Sequence, residues 1–324
     1  MVFEENRAAV VLLLAAFLDY LLGDPWGWLH PVQVMGWFIA RFSHLLIIYL
    51  TQNWQRRWGG VFLGVVLIFG SAVVGWLIVL GATRIYPFLG MMVEVILLAS
   101  CFALKSLSLA AVTVLKSLAK KDIKTARCQL SKYVGRDTEN LSESEILRAV
   151  LETVAENATD GVTAPLFYAI LGAFIPGVGS VPLALGYKAA STLDSMIGYR
   201  QEPFTDIGWF SAQFEDRLTW LPCRLTVLTL ALIAGKPGLV LAICRRDAVQ
   251  DPSPNSGWSE CVYAAILGVQ LGGVNVYHGV VKQKPFLGDP VGAIAPTTIH
   301  QALFLTRSCF LIWLSLALTA LLIS

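Results

Sequence analysis

From Trp58 to Thr83 the chain carries no charged side chain, and Arg56, Arg57 and Arg84 close the run at its two ends. About 20 apolar residues in a helix cross the hydrocarbon core of a bilayer. Within lipid only a helix or a closed barrel satisfies its own backbone, so a run of this length reads as a membrane helix. Two further runs resemble it: Ile85 to Leu104, interrupted by Glu94, and Ala302 to Ser324, with Arg307 near its start. Residues 8–23, 161–187, 221–243 and 260–281 are weaker candidates, rich in Gly and Pro. Neighbouring helices can re-satisfy the backbone at such breaks.

Composition agrees. Of 324 residues 56% are hydrophobic and 14% charged, against about a quarter charged in ordinary soluble domains. The surplus apolar sequence must face a lipid bilayer. A net charge of +2 without a dense basic block excludes a nucleic-acid partner. The six cysteines form no CxxC pair, and the histidines at 30, 44, 278 and 300 have no metal-binding spacing. The N-terminus, MVFEENRAAV, lacks a basic n-region, and the apolar stretch after it runs into Asp19 and Asp24. It reads as a retained membrane segment rather than a cleaved signal.

The expected fold is therefore all-α: a polytopic integral membrane protein, one membrane domain over 1–324, with a polar helical insert at about 105–160. That insert holds Lys105, Lys116, Lys120, Lys121, Lys124, Arg127, Lys132, Arg136 and Arg148. Loops rich in Lys and Arg stay in the cytoplasm, which places the insert there. Its first part, SLSLAAVTVLKSLAKKDIKTARCQLSKYV, reads as helical from its three- and four-residue apolar spacing. Ser142 with Glu145 then forms a capping box that starts a helix running to Asn157, ended by Gly161.

Chemistry-bearing residues fall into four groups. In ESEILRAVLETVAENATDG, Glu145, Glu152, Glu156 and Asp160 share one helical face if the helix persists. A solvated acidic face is the ordinary reading. A Mg²⁺ site is the functional one, because hard cations take carboxylate oxygens, and the run passes straight into apolar sequence, where idle charge is costly. In YKAASTLDSMIGYR, Lys188, Asp194 and Arg200 accompany hydroxyls; they suit phosphate oxygens or simply anchor a helix end. In SAQFEDRLTWLPCRLT, Glu215 and Asp216 precede Arg217, giving a second metal or nucleotide position or a surface ion-pair cluster. The fourth group, CRRDAVQDPSPNSGWSECVY, crowds Arg245, Arg246, Asp247, Asp251, Ser253, Asn255, Ser256, Trp258 and Glu260 into a Pro-broken loop that opens a helix. Its backbone N–H groups would face an anion, although the same residues make good turn chemistry. No P-loop, GxSxG elbow or HExxH is present, so any nucleotide needs an unusual site.

In this order, LLGDPWGWLHPVQVMG, YVGRDT, ETVAENATDGVTAPLFYAILGA, YKAASTLDSMIGY, SAQFEDRLTWLPCRLT and DPSPNSGWSECVYAAILGVQLGG resemble the adenosylcobinamide-phosphate synthase family (CobD/CbiB) over nearly the whole chain. One departure is visible: the third group in that family reads closer to SARxDD, and its Arg position is Gln213 here. The resemblance implies ATP-dependent condensation of adenosylcobyric acid, the corrinoid substrate, with (R)-1-amino-2-propanol phosphate. It implies ATP as co-substrate, Mg²⁺, and other membrane enzymes of the pathway as partners. Under it, Glu152, Glu156 and Asp160 are the expected catalytic residues and, with Glu215 and Asp216, the expected Mg²⁺ ligands. Asn157, Lys188, Asp194, Arg245, Arg246, Asn255, Ser256 and Glu260 are expected to bind substrate and phosphate. The location implied is the cell membrane, multi-pass, with a cytoplasmic active site. A transporter is the competing class, as for any chain of Gly/Pro-interrupted spans. Against it, charged residues gather at helix ends and in the insert, and no paired interrupted segments occur in two halves.

Overall fold

A computed structural model describes residues 6–23, 30–277 and 279–323. Asp24, the rest of the first motif through Leu29, and His278 lie outside the described residues. Helices dominate: α1 (Arg7–Leu22), α2 (Pro31–Tyr49), α3 (Asn53–Ile85), α4 (Pro87–Ala99), α5 (Leu104–Ala119), α6 (Ile123–Leu130), α7 (Glu143–Asn157), α8 (Ala164–Ala173), α9 (Ser180–Ile197), α10 (Trp209–Ile233), α11 (Pro237–Asp247), α12 (Ser256–Leu267) and α13 (Pro296–Ile323). Among the described residues, four segments are long and apolar enough to cross a membrane: Pro31–Tyr49, Asn53–Ile85, Pro87–Ala119 and Pro296–Ile323. The third is broken at 100–103, where α4 gives way to α5. The first was not expected, because Arg41 and His44 interrupt its apolar sequence.

Four expectations need correction. The fold is not purely α: β1 (Leu271–Tyr277) and β2 (Val280–Leu287) form an antiparallel hairpin, so the apolar stretch 260–281 is the end of α12 followed by a strand. Gly161 does not stop α7. The chain widens into a π-helical turn at Ala158–Thr163 and continues as α8. The single helix expected from Ser106 breaks after Ala119; Lys121 adopts a positive φ of 58°, and Asp122 caps α6 by accepting the Thr125 N–H at 3.0 Å. Residues 161–187 are likewise divided, by the turn at 174–179 between α8 and α9.

The chain divides into two compact units. The first comprises Met1–Ala103, Ala164–Thr219 and Ile312–Ser324. Within it α9 lies against α2, α3 and α8. Small residues on α3 permit this closeness: a methyl at Gly75 would press on Leu185 of α9, and one at Gly64 would come within 3.3 Å of Leu193. Close backbone approach through small residues is how helices gain contact where lipid removes the hydrophobic drive. Large apolar side chains of α3, such as Phe62, Phe69 and Leu77, face outward, as a lipid-facing surface requires.

The second unit comprises Leu104–Thr163 and Trp220–Leu311. The polar stretch at 105–160 is thus built together with a distant part of the chain. Its core is the apolar face of α7 (Ile146, Leu147, Val150, Leu151, Val154) set against α5, α6 and α12. The capping box at Ser142 forms as its sequence requires, with the Glu145 carboxylate accepting the Ser142 N–H at 2.7 Å.

Candidate functional site

In the second unit, charge is buried around the inner face of α7. Glu152, on a buried face otherwise made of Ile, Leu, Val and Ala, is almost wholly enclosed. One of its oxygens receives the Arg136 guanidinium, and the other accepts the Gly272 N–H at 3.0 Å. Arg136 also donates to Asn275 Oδ1 at 2.8 Å. Arg148, one helical turn before Glu152, donates to the carbonyls of Gly272 and Val274 and to Asn275 Oδ1. Two cations, one carboxylate and one amide therefore hold β1 onto α7. The strand turns its polar residue inward to meet them: Asn275 is buried and Val274 exposed.

The YVGRDT motif supplies the second fastening. The Asp137 N–H donates to the Val276 carbonyl at 2.8 Å, and its carboxylate accepts the Gly279 N–H, also at 2.8 Å. Next to Leu271 the pairing slips around Gly272, where a side chain would collide with the Pro285 carbonyl. Proline in a strand is found at such irregularities.

The hairpin brings in Lys284. Its ammonium lies 3.0 Å from Glu260 Oε1 on α12. Glu260 is fully buried, and its Oε2 has no hydrogen-bond partner among the described residues. Burial pushes the Glu260 carboxyl up to about 8; Lys284 opposes the shift, while Glu152 and Glu156 add to it. Lys284 is raised above its ordinary value although burial works the other way, because Glu260, Glu156 and Glu152 all hold its proton.

Glu156, one turn beyond Glu152, differs in kind. Its side chain reaches solvent, yet enclosure by surrounding protein raises its carboxyl above the usual range; Lys284 opposes this, and Asp251 and Glu152 reinforce it. Asp251 borders the same group: its Oδ1 accepts the Ser253 N–H at 2.9 Å and the Ser256 hydroxyl at 3.3 Å, while its buried Oδ2 has no partner among the described residues.

The remaining expected residues scatter. Asn157 donates to the Thr153 carbonyl on its own helix, and Asp160 sits half-buried in the π-turn. Arg246 grips Asp247 with two bonds and reaches Asp289 at 2.7 Å. The Asp247 carboxyl is lowered from its ordinary value, first by the Arg246 hydrogen bond and also by the Gly288 N–H, against the opposing effect of burial. Arg245 is exposed. Some of the N–H groups at the head of α12 are taken up within the loop itself. The Ser253 hydroxyl accepts those of Asn255 and Ser256, and the Asn255 carbonyl accepts that of Ser259. The loop is also clamped by Arg224, which donates to the Pro254 carbonyl at 2.9 Å and lies over the Trp258 ring at 4.3 Å.

Lys188, Asp194, Glu215 and Asp216 belong to the first unit. There the buried Glu215 accepts the Thr219 hydroxyl, which also pairs with the Tyr187 hydroxyl at 2.9 Å. Among the described residues, no three His, Cys, Asp or Glu side chains converge as a metal cluster would. Sequence reasoning missed Lys284 and Asn275. Both lie in the hairpin after Leu271: Asn275 falls within the stretch 260–281 read from its sequence as a candidate membrane segment, and Lys284 just beyond it.

The family described as CobD/CbiB protein matches residues 12–306 of the chain. A cobalamin biosynthesis protein CobD of Synechocystis sp. (strain PCC 6803) is 54% identical over 315 residues, covering 97% of this chain and 92% of the relative. The CobD protein of Pelobacter propionicus is 42% identical, over 88% of this chain and 86% of its own length. The cobalamin biosynthesis protein CbiB of Salmonella typhimurium (strain LT2) is 40% identical, over 90% of each. No solved structure matches.

Proposed function

The chain belongs to the CobD/CbiB family of cobalamin biosynthesis proteins, and from that premise we propose that it is an ATP-dependent, amide-forming ligase. Its substrates are adenosylcobyric acid and (R)-1-amino-2-propanol phosphate, and its product is adenosylcobinamide phosphate. We place it in the cell membrane as a multi-pass protein, with its active site on the cytoplasmic side among the other membrane enzymes of the pathway. The observation that supports this most is Glu156: a carboxylate reachable from solvent, closely surrounded, and bordered by Lys284 and Asp251.

A carboxylate does not react with an amine at neutral pH, because its resonance-stabilised anion lacks a leaving group. ATP converts it to an acyl phosphate, releasing ADP. The amine attacks the acyl carbon, phosphate leaves with the bonding pair, and the amine gives up a proton. Charge on the transferred phosphoryl group must be met by fixed cations. Lys284 and Arg246 are the candidates in the second unit. Glu156 is the candidate to take the amine proton, since a base works best when its pKa lies near the operating pH.

Mg²⁺ would neutralise phosphate oxygens and bridge them to the protein, as it commonly does through one or two carboxylates and several waters. The partnerless Asp251 oxygen fits such an ion, and Asp160 is a second donor. Glu152 has both oxygens engaged by protein, so we read it as the anchor of Arg136 and the hairpin. Glu260 similarly positions Lys284. Lys188, Asp194, Glu215 and Asp216 stay as candidates in the first unit for the corrinoid or the amine phosphate.

The test is ATP consumption by purified protein in detergent with Mg²⁺, adding the two substrates singly and together. Hydrolysis that requires both, with a new corrinoid amide, is expected. Turnover of neither by folded protein would overturn the ligase reading and favour transport.

A further inference from the structure

A pocket with an ion pair in its wall lies within the first unit, apart from everything assigned above. It is a cavity of about 390 Å³ whose lining includes Arg7, Trp76, Thr83, Glu94, Ala173 and Gly179. Arg7 is the first residue of α1, Thr83 lies in the last turn of α3, Ala173 ends α8 and Ser180 begins α9. Four helix ends of the apolar unit thus meet there. The Arg7 Nη2 donates to Glu94 Oε2 at 2.9 Å and to the Thr83 hydroxyl at 3.4 Å. Glu94 stands inside α4, a helix with no other charge. Ionised side chains inside membrane helices are costly and persist where they have a task.

One task is visible, since the ion pair fastens α1 to α3 and α4. It does not use the whole pair. Glu94 Oε1 accepts no hydrogen bond from the described residues. It points toward Gly179, where even a methyl would stand 3.5 Å away. Trp76 Nε1 donates to the Gly177 carbonyl at 3.0 Å and so holds the 176–179 turn at the cavity's edge. The rest of the lining is largely apolar, with Val79, Leu80, Ile175 and Val181, and Leu77 and Ile78 of α3 and Phe88 and Met92 of α4, close in sequence to lining residues, are exposed. A pocket with a cation and an anion side by side, flanked by lipid-facing apolar side chains, complements an amphiphile with the opposite arrangement.

We propose that this pocket binds the headgroup of a phospholipid carrying a primary ammonium next to its phosphate. The ammonium donates to Glu94 Oε1, and the phosphate accepts from the remaining Arg7 N–H groups. The acyl chains lie along the exposed side chains of α3 and α4. A quaternary ammonium has no N–H to donate, and an uncharged glycerol headgroup offers Glu94 no cation, so both are discriminated against. The same ammonium–phosphate chemistry exists in soluble form, and the apolar flank favours the lipid.

The test uses the full chain in detergent, supplemented in turn with phosphatidylethanolamine, phosphatidylcholine and phosphatidylglycerol of identical chains, and with soluble O-phosphoethanolamine. Phosphatidylethanolamine is expected to raise the unfolding midpoint by roughly 5 °C and to remain as one retained lipid in native mass spectra. Glu94→Gln should abolish the shift. Because that change also breaks the ion pair, Ala173→Phe serves beside it. It fills the cavity and keeps both charges, and should lose the shift with the lipid-free midpoint retained. An equal shift with phosphatidylcholine or phosphatidylglycerol, a full shift in Ala173→Phe, or the same shift from O-phosphoethanolamine alone would each overturn the proposal. Ligase activity enters none of these readouts, so this inference stands or falls apart from the proposed function.

Discussion

Glu152→Gln removes one negative charge from a place where little water can replace it. The Glu152 and Arg136 side chains are 3% and 7% exposed. Without the carboxylate, Arg136 keeps a bond to the uncharged Asn275 amide, and its charge is left uncompensated in a low-dielectric setting. Breaking a buried pair from one side costs about 3–5 kcal/mol. At about 2–4 °C per kcal/mol for chains of this order of size, the unfolding midpoint should fall by on the order of 10 °C. Arg136→Met should cost a similar amount through the stranded Glu152. The double variant should cost less than the sum of the two, because neither partner is then left alone. Thermal unfolding in one detergent, without Mg²⁺, measures all three. Additive losses, or a drop below about 1 kcal/mol for Glu152→Gln, would refute the reasoning. If Glu152 were instead a metal ligand, the variant would keep its midpoint in the absence of Mg²⁺ and show a raised Mg²⁺ requirement in turnover.

Glu156→Gln should behave in the opposite way: reachable from solvent, it should leave the midpoint within about 1 kcal/mol and abolish amide formation; near-normal turnover would remove its role. Glu260 has a folded-state pKa raised to about 8 from an ordinary 4.5. The native state therefore binds more protons than the unfolded one between these values, and the contribution is full below about 4.5 and lost as pH rises through 8. Unfolding midpoints should fall across that window in the parent and flatten in Glu260→Gln; an unchanged slope would show that another group titrates. Asp137→Ala releases the Gly279 N–H, so amide exchange should quicken along 271–287 with α5 and α7 unaffected, and uniform protection would contradict the pinning.

Much of this architecture was legible in residue order. The charge-free run at Trp58–Thr83 could only be a membrane helix, and Ser142 with Glu145 fixed the start of α7 through two reciprocal hydrogen bonds. The faces of α7 were legible as well, since Glu152 and Glu156 fall where helical spacing puts them. Which acid is buried and which is reachable was not, because that depends on Gly272, Asn275 and Lys284, more than a hundred residues later in the chain. The hairpin escaped notice for a related reason. A strand buries alternate residues, and here the buried one is Asn275 while Val274 faces outward, so polarity and burial run in opposite senses. Gly161 failed as a terminator because a π-turn absorbs a residue without breaking the helix, an outcome set by Thr159 and Thr163, which find hydroxyl partners in Ser259 and Thr226 at 2.7 Å.

The bond from the Gly272 N–H to Glu152 joins residues 120 positions apart. A ribosome adding about 5–20 residues per second needs roughly 6–24 s to traverse that interval. For all of that time the nascent chain carries a carboxylate destined for the interior, with Arg136 already made and the strand that encloses them still unwritten. Three of the four membrane-length segments, Pro31–Tyr49, Asn53–Ile85 and Pro87–Ala119, precede Glu152 and are already made, while this half of the molecule waits for its last strands to arrive.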